Sequence, residues 1–157
     1  MKTEITDQSI ISAGHDAESI AQVRALCAHL DCQPEDVTLE RGDHYGLSLY
    51  SAPGGEYAIG TDAESDSAVA RNIADSVWAF NASFLALYTG LPEEMFSGMQ
   101  DKCEDANDAF TTCVKRAEGG LAGFVEEAVS ADGRGHFLSG YDGEENEEGE
   151  FYIYRTN

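Results

Sequence analysis

Basic residues are scarce in this 157-residue chain, where nine lysines and arginines stand against thirty aspartates and glutamates. The formal charge of −21 excludes direct binding to nucleic acid phosphates or to anionic lipid as the main activity, because the protein's own field repels both. The apolar fraction of 42% is still high enough to form a core. The chain as a whole is therefore not disordered.

The sequence also lacks a long hydrophobic run. Its longest apolar stretch, residues 77–88, is interrupted by Asn81 and Ser83, which excludes a membrane span. The first eleven residues are polar and mixed, without the basic and apolar regions of an export signal. We therefore expect a cytoplasmic protein.

Cysteines are few, and their spacing matches no metal or redox motif. The four are Cys27, Cys32, Cys103 and Cys113. Separations of five and ten residues are unlike those of zinc sites or thioredoxin motifs, so we expect reduced thiols. An EF-hand starting at Asp142 fails as well, because Glu147 and Ile153 occupy the positions that require glycine and glutamate. We expect no cofactor and no metal.

Apolar periodicity predicts an α+β fold, with four or five helices packed on a small antiparallel β-sheet. Residues 1–14 show no clear period and are expected to be a mobile N-terminus, while residues 15–157 are expected to form a single domain. The strongest helical signal follows the capping box Thr61–Glu64 and ends at Gly90. Its apolar stripe comprises Val69, Ile73, Val77, Phe80, Phe84 and Leu87.

The remaining elements are shorter. Helices are predicted over residues 16–30, 34–37, 92–99, 101–117 and 121–129. Two antiparallel strand pairs are predicted, residues 45–50 with 56–60, and residues 136–139 with 150–155. In the last strand, Phe151 and Ile153 face one way and the tyrosines between and after them face the other.

Four acidic residues in the predicted helix 101–117 form the first candidate site. They are Asp101, Glu104, Asp105 and Asp108. Their offsets place all four on one helical face, about 5–6 Å apart, which is close to the spacing of successive phosphates. Like charges at these offsets each cost a few tenths of a kcal/mol, which indicates selection for something other than stability. The alternative is an ordinary solvated face.

A second candidate site follows Tyr141, in a segment with six acids and no base. The acids are Asp142, Glu144, Glu145, Glu147, Glu148 and Glu150. This segment is either a second acidic patch for a partner or a solvated hairpin loop.

Clustering of charge decides whether the chain can imitate DNA. Spread evenly, its net charge amounts to about one charge per 370 Å² of surface. A DNA duplex carries about one charge per 110 Å². Mimicry therefore requires that the charge be concentrated on about a third of the surface.

Three stretches together carry a family resemblance. They are Ser76–Leu85, Cys103–Asp108, and the region Asp132–Arg155 with its DGRGHFLS, YDGEE and FYIYR segments. This pattern resembles a widespread group of small acidic phage and prophage proteins of unassigned function, over roughly residues 45–157. The resemblance implies a phage or mobile-element source and a host cytoplasm, and it brings no catalytic residues with it.

Acidity and resemblance together favour a phage-encoded, non-enzymatic inhibitor of the anti-CRISPR or anti-restriction type. Its acidic, nucleic-acid-mimicking surface would occupy a basic groove of a host nucleic-acid-binding protein or complex, with no direct nucleic acid or membrane partner. Two alternatives stay open. One is a halophile-adapted acidic cytoplasmic protein, and the other is a small hydrolase-like enzyme that uses the turn Asp132, Arg134 and His136.

Overall fold

The computed structural model describes residues 3–157 and confirms the α+β class. Over these residues the chain forms eight α-helices and one five-stranded antiparallel sheet. The prediction of four or five helices was therefore wrong in number. Two helices, Asp7–Ser12 and Arg134–Leu138, are too short to show a helical period, and one long predicted helix is broken into two.

The element bounds are as follows. The helices are α1 (Asp7–Ser12), α2 (Ile20–Leu30), α3 (Asp62–Asp75), α4 (Ala82–Thr89), α5 (Glu93–Gln100), α6 (Asn107–Arg116), α7 (Gly120–Asp132) and α8 (Arg134–Leu138). The strands are β1 (Thr38–His44), β2 (Leu47–Ala52), β3 (Gly55–Thr61), β4 (Asn146–Glu148) and β5 (Phe151–Arg155). Short 3₁₀ turns cover Ala17–Ser19, Pro34–Asp36, Val77–Ala79 and Cys103–Ala106. No helix in the described part of the chain is both long and apolar enough to cross a bilayer.

The chain divides into two compact units. Unit 1 comprises Met1–Ala68 and Arg134–Asn157, and it holds the sheet, whose strand order is β1-β2-β3-β5-β4. Unit 2 comprises Val69–Gly133 and is helical. The expected single domain over residues 15–157 and the expected mobility of residues 1–14 stay predictions.

Strand β1 was not predicted, because it lies at the edge of the sheet and most of its residues are exposed. Charged side chains on an edge strand hinder pairing with other chains, and they also hide the apolar alternation that identifies a strand. The β1–β2 hairpin turns at Tyr45 and Gly46, whose φ angles are 53° and 94°. Two residues of positive φ suit a two-residue hairpin turn, so Tyr45 belongs to the turn and not to the predicted strand.

One face of the sheet packs against α1 and α2. Ile10 of α1 and Val23 and Leu26 of α2 are fully buried in the same cluster as Ile59 and Ile153 from the strands. Phe151 and Ile153, which were predicted to face the same way, both lie in this cluster.

The other face of the sheet is covered as well, because Tyr57, Ala58, Ile59 and Gly60 are all buried in sequence along β3. A side chain on Gly60 would meet Glu64 Cβ at 3.1 Å, so the first turn of α3 lies directly on the strand. That turn carries the predicted capping box: Thr61 N–H donates to Glu64 Oε1 at 3.0 Å, and Glu64 N–H donates to Thr61 Oγ1 at 3.3 Å.

The second predicted hairpin has the wrong partner strand. Strand β5 pairs with Asn146–Glu148, whereas residues 136–139 belong to α8 and to the residue after it. Tertiary contacts hold this short helix, since His44 Nε2 donates to Leu138 O at 2.9 Å. Four residues of mixed polarity cannot distinguish a strand from a single helical turn, which explains the error.

In unit 2 the predicted continuous helix up to Gly90 is also wrong. Helix α3 ends at Asp75, and α4 starts after Asn81, whose Oδ1 accepts from Ser83 N–H at 2.9 Å. Two amide side chains satisfy the backbone at the break. Asn107 Nδ2 donates to Ala74 O at 2.9 Å, and Gln100 Nε2 donates to Phe80 O at 2.6 Å. Gly90, with φ of 74°, ends α4 as predicted.

The core of unit 2 is aromatic. Phe124 of α7 contacts the rings of Phe80, Phe84 and Tyr88, with centroids 4.9, 5.5 and 5.3 Å away. Each contact is edge-to-face, the arrangement that the ring quadrupoles favour.

Candidate functional site

The acidic loop, defined as Asp142–Glu150, follows α8 in unit 1 and includes strand β4. The structure divides its six predicted site residues into two classes. The carboxylates of Asp142 and Glu145 form hydrogen bonds with other residues of the protein. The other four, Glu144, Glu147, Glu148 and Glu150, form no side-chain hydrogen bond or ion pair within the described residues.

Asp142 caps its own loop. Its Oδ1 accepts from Glu144 N–H at 2.9 Å and lies 2.8 Å from Ser139 Oγ. The backbone hydrogen bond from Glu144 lowers the pKa of Asp142, and the Ser139 hydroxyl and the Arg155 charge lower it further. The carboxylate is therefore held in its charged form, and it fixes the start of the loop.

Arg134 and Glu145 form a bidentate ion pair. Arg134 Nε donates to Glu145 Oε2 at 2.8 Å, and Nη2 donates to Oε1 at 3.2 Å. Arg134 Nη1 donates to Asp62 Oδ1 at 2.8 Å and to Asp66 Oδ1 at 2.9 Å. Because three carboxylates meet one guanidinium, this cluster keeps a net charge of −2.

The surroundings of Arg134 keep it in place. Its side chain is only 10% exposed, and its guanidinium carbon lies 4.6 Å from the centroid of Tyr152. Burial alone would lower the pKa of Arg134, but the hydrogen bonds that it donates to Glu145 and Asp62 raise it above its usual range. The cation is therefore permanent.

Tyr154 completes the cluster from the sheet. Its hydroxyl donates to Glu145 Oε2 at 2.5 Å. Burial raises the pKa of Tyr154, and the hydrogen bond to Glu145 raises it further, so the phenol stays a donor at neutral pH.

The loop also packs tightly on α8. A Cβ on Gly135 would lie 2.5 Å from Gly143 O and 2.7 Å from the carbonyl carbon of Glu144. Only glycine allows this approach. At the start of the loop, the Arg155 guanidinium carbon lies 3.6 Å from the ring centroid of Tyr141. The acidic loop is thus held by the Asp142 side chain, by the pairing of Glu145 with Arg134, and by the packing of Gly143 and Glu144 on Gly135.

The acidic residues of unit 2 do not share one helical face, so that part of the prediction was wrong. Asp101 follows α5, Glu104 and Asp105 lie in the 3₁₀ turn, and Asp108 lies in the first turn of α6. Cys103 is exposed and has φ of 51°, which breaks the predicted helix. Repulsion among carboxylates at helical spacing favours such a break. All four acids are exposed, and their role in binding stays a prediction.

The structure does not strengthen the enzymatic alternative. The hydrogen bonds of Arg134 go to Asp62, Asp66 and Glu145, and Asp132 and His136 are exposed. Within residues 3–157, no group of three or more acids, histidines or cysteines is arranged to hold a metal ion. The hydrolase-like reading stays a prediction.

No protein-family model, curated protein or solved structure matches this chain. The resemblance to small phage proteins therefore stays a prediction too.

Proposed function

We propose that this protein is a non-enzymatic inhibitor whose acidic surface occupies the basic, nucleic-acid-binding groove of another protein. The observation that carries the proposal is the construction of the acidic loop. Arg134 binds the Glu145 carboxylate and Asp142 binds the loop backbone, while the side chains of Glu144, Glu147, Glu148 and Glu150 form no hydrogen bond or ion pair within the described residues. Binding to a preformed loop loses less conformational entropy than binding to a mobile one, so more of the Coulomb attraction appears as affinity.

The charge of both units supports this proposal. Unit 1 has 19 acids and five bases, a net charge of −14, and unit 2 has 11 acids and four bases, a net charge of −7. A negative field around the whole chain steers it towards a basic groove and accelerates association. The same field repels nucleic acid, which makes the groove of a nucleic-acid-binding protein a more suitable partner than nucleic acid itself.

The stability cost of the loop also supports a binding role. Unpaired carboxylates close together repel one another, and sites that lower stability are often kept for function. We infer from the resemblance to phage proteins that the partner belongs to a host defence or nucleic-acid-handling system, such as restriction or CRISPR surveillance.

Affinity capture from a bacterial lysate, followed by mass spectrometry at low and high salt, tests the proposal. We expect a single nucleic-acid-binding complex that is retained at low salt and released at high salt, because screening removes charge attraction. Recovery of the same partner at both salt concentrations, or of no specific partner at either, would contradict the charge-based mechanism.

Matched variants then separate the loop from net charge in general. The loop variant changes Glu144, Glu147, Glu148 and Glu150 to glutamine, and leaves Asp142 and Glu145 in place. The control removes the same four charges from exposed residues elsewhere in unit 1, by changing Glu4, Asp16, Glu18 and Glu35 to their amides. We expect the loop variant to lose the partner and the control to keep it. A folded loop variant that captures as much partner as the wild type would exclude the loop as the site.

A third variant tests the candidate residues of unit 2. It changes Asp101, Glu104, Asp105 and Asp108 to amides. Loss of capture here would show that both acidic segments contact the partner, and unchanged capture would confine the contact to the acidic loop.

A further inference from the structure

Helix α4 has apolar residues on two sides. Leu85 faces inward and is fully buried, whereas Phe84, Leu87 and Tyr88 recur at i, i+3 and i+4 on another side. Leu87 is 87% exposed, the largest exposed fraction among the exposed large apolar residues described. A surface helix is normally polar on its outer side, so an outer apolar side indicates an interaction surface.

These residues line a groove of about 280 Å³, together with Glu127 of α7. The groove is already formed in the free protein. The rings of Phe84 and Tyr88 rest on Phe124, and the Tyr88 hydroxyl donates to Gly120 O at 2.6 Å. A Cβ on Gly123 would lie 2.6 Å from the Tyr88 hydroxyl oxygen, so the glycine keeps room for this ring.

The rim of the groove is acidic. Glu127 lines it, and Glu126 and Glu127 both raise the pKa of Tyr88, after the larger effect of burial. An apolar floor beside a carboxylate complements a helix that has leucines on one face and lysines or arginines next to them. A second copy of this chain is a poor occupant, because two molecules of charge −21 repel each other.

We propose that this groove, the α4–α7 groove, binds an amphipathic basic segment of a protein partner. An apolar side chain enters between Phe84, Leu87 and Tyr88, and a lysine or arginine next to it pairs with Glu127. The inference rests on the proposed function in taking the partner to be basic. It adds an apolar anchor to a contact otherwise made by charge alone.

Binding of a defined peptide to the whole protein tests this inference. The probe is a fluorescently labelled synthetic helix of leucine and lysine in an amphipathic pattern, measured by anisotropy at high salt, where the acidic loop is screened. We expect Leu87→Ser to weaken binding about tenfold, which corresponds to about 1.4 kcal/mol. Glu127→Gln is expected to weaken binding in a second series at low salt, where the Glu127 charge is not screened, and therefore to reduce the salt dependence of peptide affinity.

Leu39→Ser is the matched control, since Leu39 is a leucine 46% exposed in β1 of unit 1. It is expected to bind the peptide like the wild type. Equal peptide affinities of Leu87→Ser and the wild type would overturn the inference, as would equal binding of a peptide with glutamate in place of lysine. Sedimentation that shows a dimer lost in Leu87→Ser would overturn it too, because the occupant would then be a second copy.

The two proposals can fail separately. The four-glutamine loop variant keeps the α4–α7 groove, and it should bind the peptide at high salt like the wild type. If the loop variant no longer captures the partner while Leu87→Ser leaves peptide affinity unchanged, only the groove proposal is contradicted. If Leu87→Ser weakens peptide binding while the loop variant captures the partner normally, only the loop proposal is contradicted.

Discussion

Arg134 is the residue on which the conformation of the acidic loop depends most. It is nearly buried and binds three carboxylates, of which Glu145 is itself only 28% exposed. Transferring such a cation out of water is costly, and its hydrogen bonds to the carboxylates offset that cost. Removing the arginine leaves the carboxylates facing one another without a cation.

Arg134→Ala is therefore expected to lower the free energy of unfolding by about 2 kcal/mol, less than for a fully buried pair because Asp62 and Asp66 are largely exposed. Urea denaturation measures this change. Arg24→Ala is the control, since Arg24 and Asp7 form an exposed pair that contributes less than about 1 kcal/mol. Equal losses in the two variants would show that Arg134 is an ordinary surface residue.

The low pKa of Asp142 makes its contribution to stability depend on pH. Since the pKa in the folded state lies below that in the unfolded chain, the contribution is present above the unfolded pKa of about 3.9 and is lost as the pH falls through the folded pKa. Asp142→Asn should therefore be less stable than the wild type at neutral pH, and the difference should shrink in acid.

Denaturant titrations at pH 7 and pH 3 measure that difference, and an NMR titration of the Asp142 carboxyl gives the pKa itself. Ser139→Ala should move the Asp142 pKa back towards its ordinary value, because it removes one of the donors. A wild-type Asp142 that titrates at its ordinary pKa would contradict this account of the loop.

Composition alone identified the six acids of the loop, but it could not show which of them are free. Arg134 lies 11 residues from Glu145 and 72 from Asp62, and no local pattern links them. In the sequence, Arg134 lies beside Asp132 in a predicted turn. In the fold, Arg134 instead binds carboxylates of α3 and of the acidic loop. Asp62, Asp66, Tyr152 and Tyr154 were missed for the same reason.

At the scale of elements, signals carried by neighbouring residues were reliable. The Thr61–Glu64 capping box and Gly90 at the end of α4 depend on local hydrogen bonds and backbone conformation, and both predictions are confirmed. The break between α3 and α4 depends on Asn107 and Gln100, which lie 33 and 20 residues beyond the backbone carbonyls that they bind. Periodicity cannot reveal such a partner, because the apolar stripe continues through the break.

Asn107→Ala tests this explanation of the break. Asn107 Oδ1 accepts from Trp78 N–H at 3.2 Å, and its Nδ2 donates to Ala74 O. Its loss leaves part-buried backbone groups unpaired and should cost about 1–3 kcal/mol. Trp78 is the only tryptophan, so its fluorescence reports on this region directly.

We expect the Trp78 emission to change in Asn107→Ala and to stay as in the wild type in the control Asn72→Ala. Asn72 lies in α3, and its side chain forms no hydrogen bond within the described residues. If both variants had wild-type stability and emission, Asn107 would not be the cause of the break.

At the scale of the whole molecule, excess negative charge dominates. The net charge is −14 in unit 1 and −7 in unit 2, so the like charges within each unit repel one another. Added salt screens this repulsion, and residues 3–157 form few ion pairs that the same salt would weaken. The charge balance was readable from composition, because it depends on counts and not on the fold.

The melting temperature should therefore rise moderately between low salt and about 1 M salt. Differential scanning calorimetry measures this rise, and the four-glutamine loop variant should show a smaller one because it has less repulsion to screen. A protein that unfolds at low salt and becomes stable only in molar salt would favour the halophile alternative over the inhibitor.

Competition with DNA for the captured partner tests the central claim most directly. The partner is immobilised with a labelled DNA duplex bound, and the wild-type protein, the four-glutamine loop variant and the matched control are each titrated in. We predict that the wild type and the control displace the duplex and that the loop variant does not, because the acidic loop enters the DNA-binding groove of the partner. Binding of the wild-type protein without displacement of the duplex would contradict the claim that its carboxylates occupy the place of phosphates.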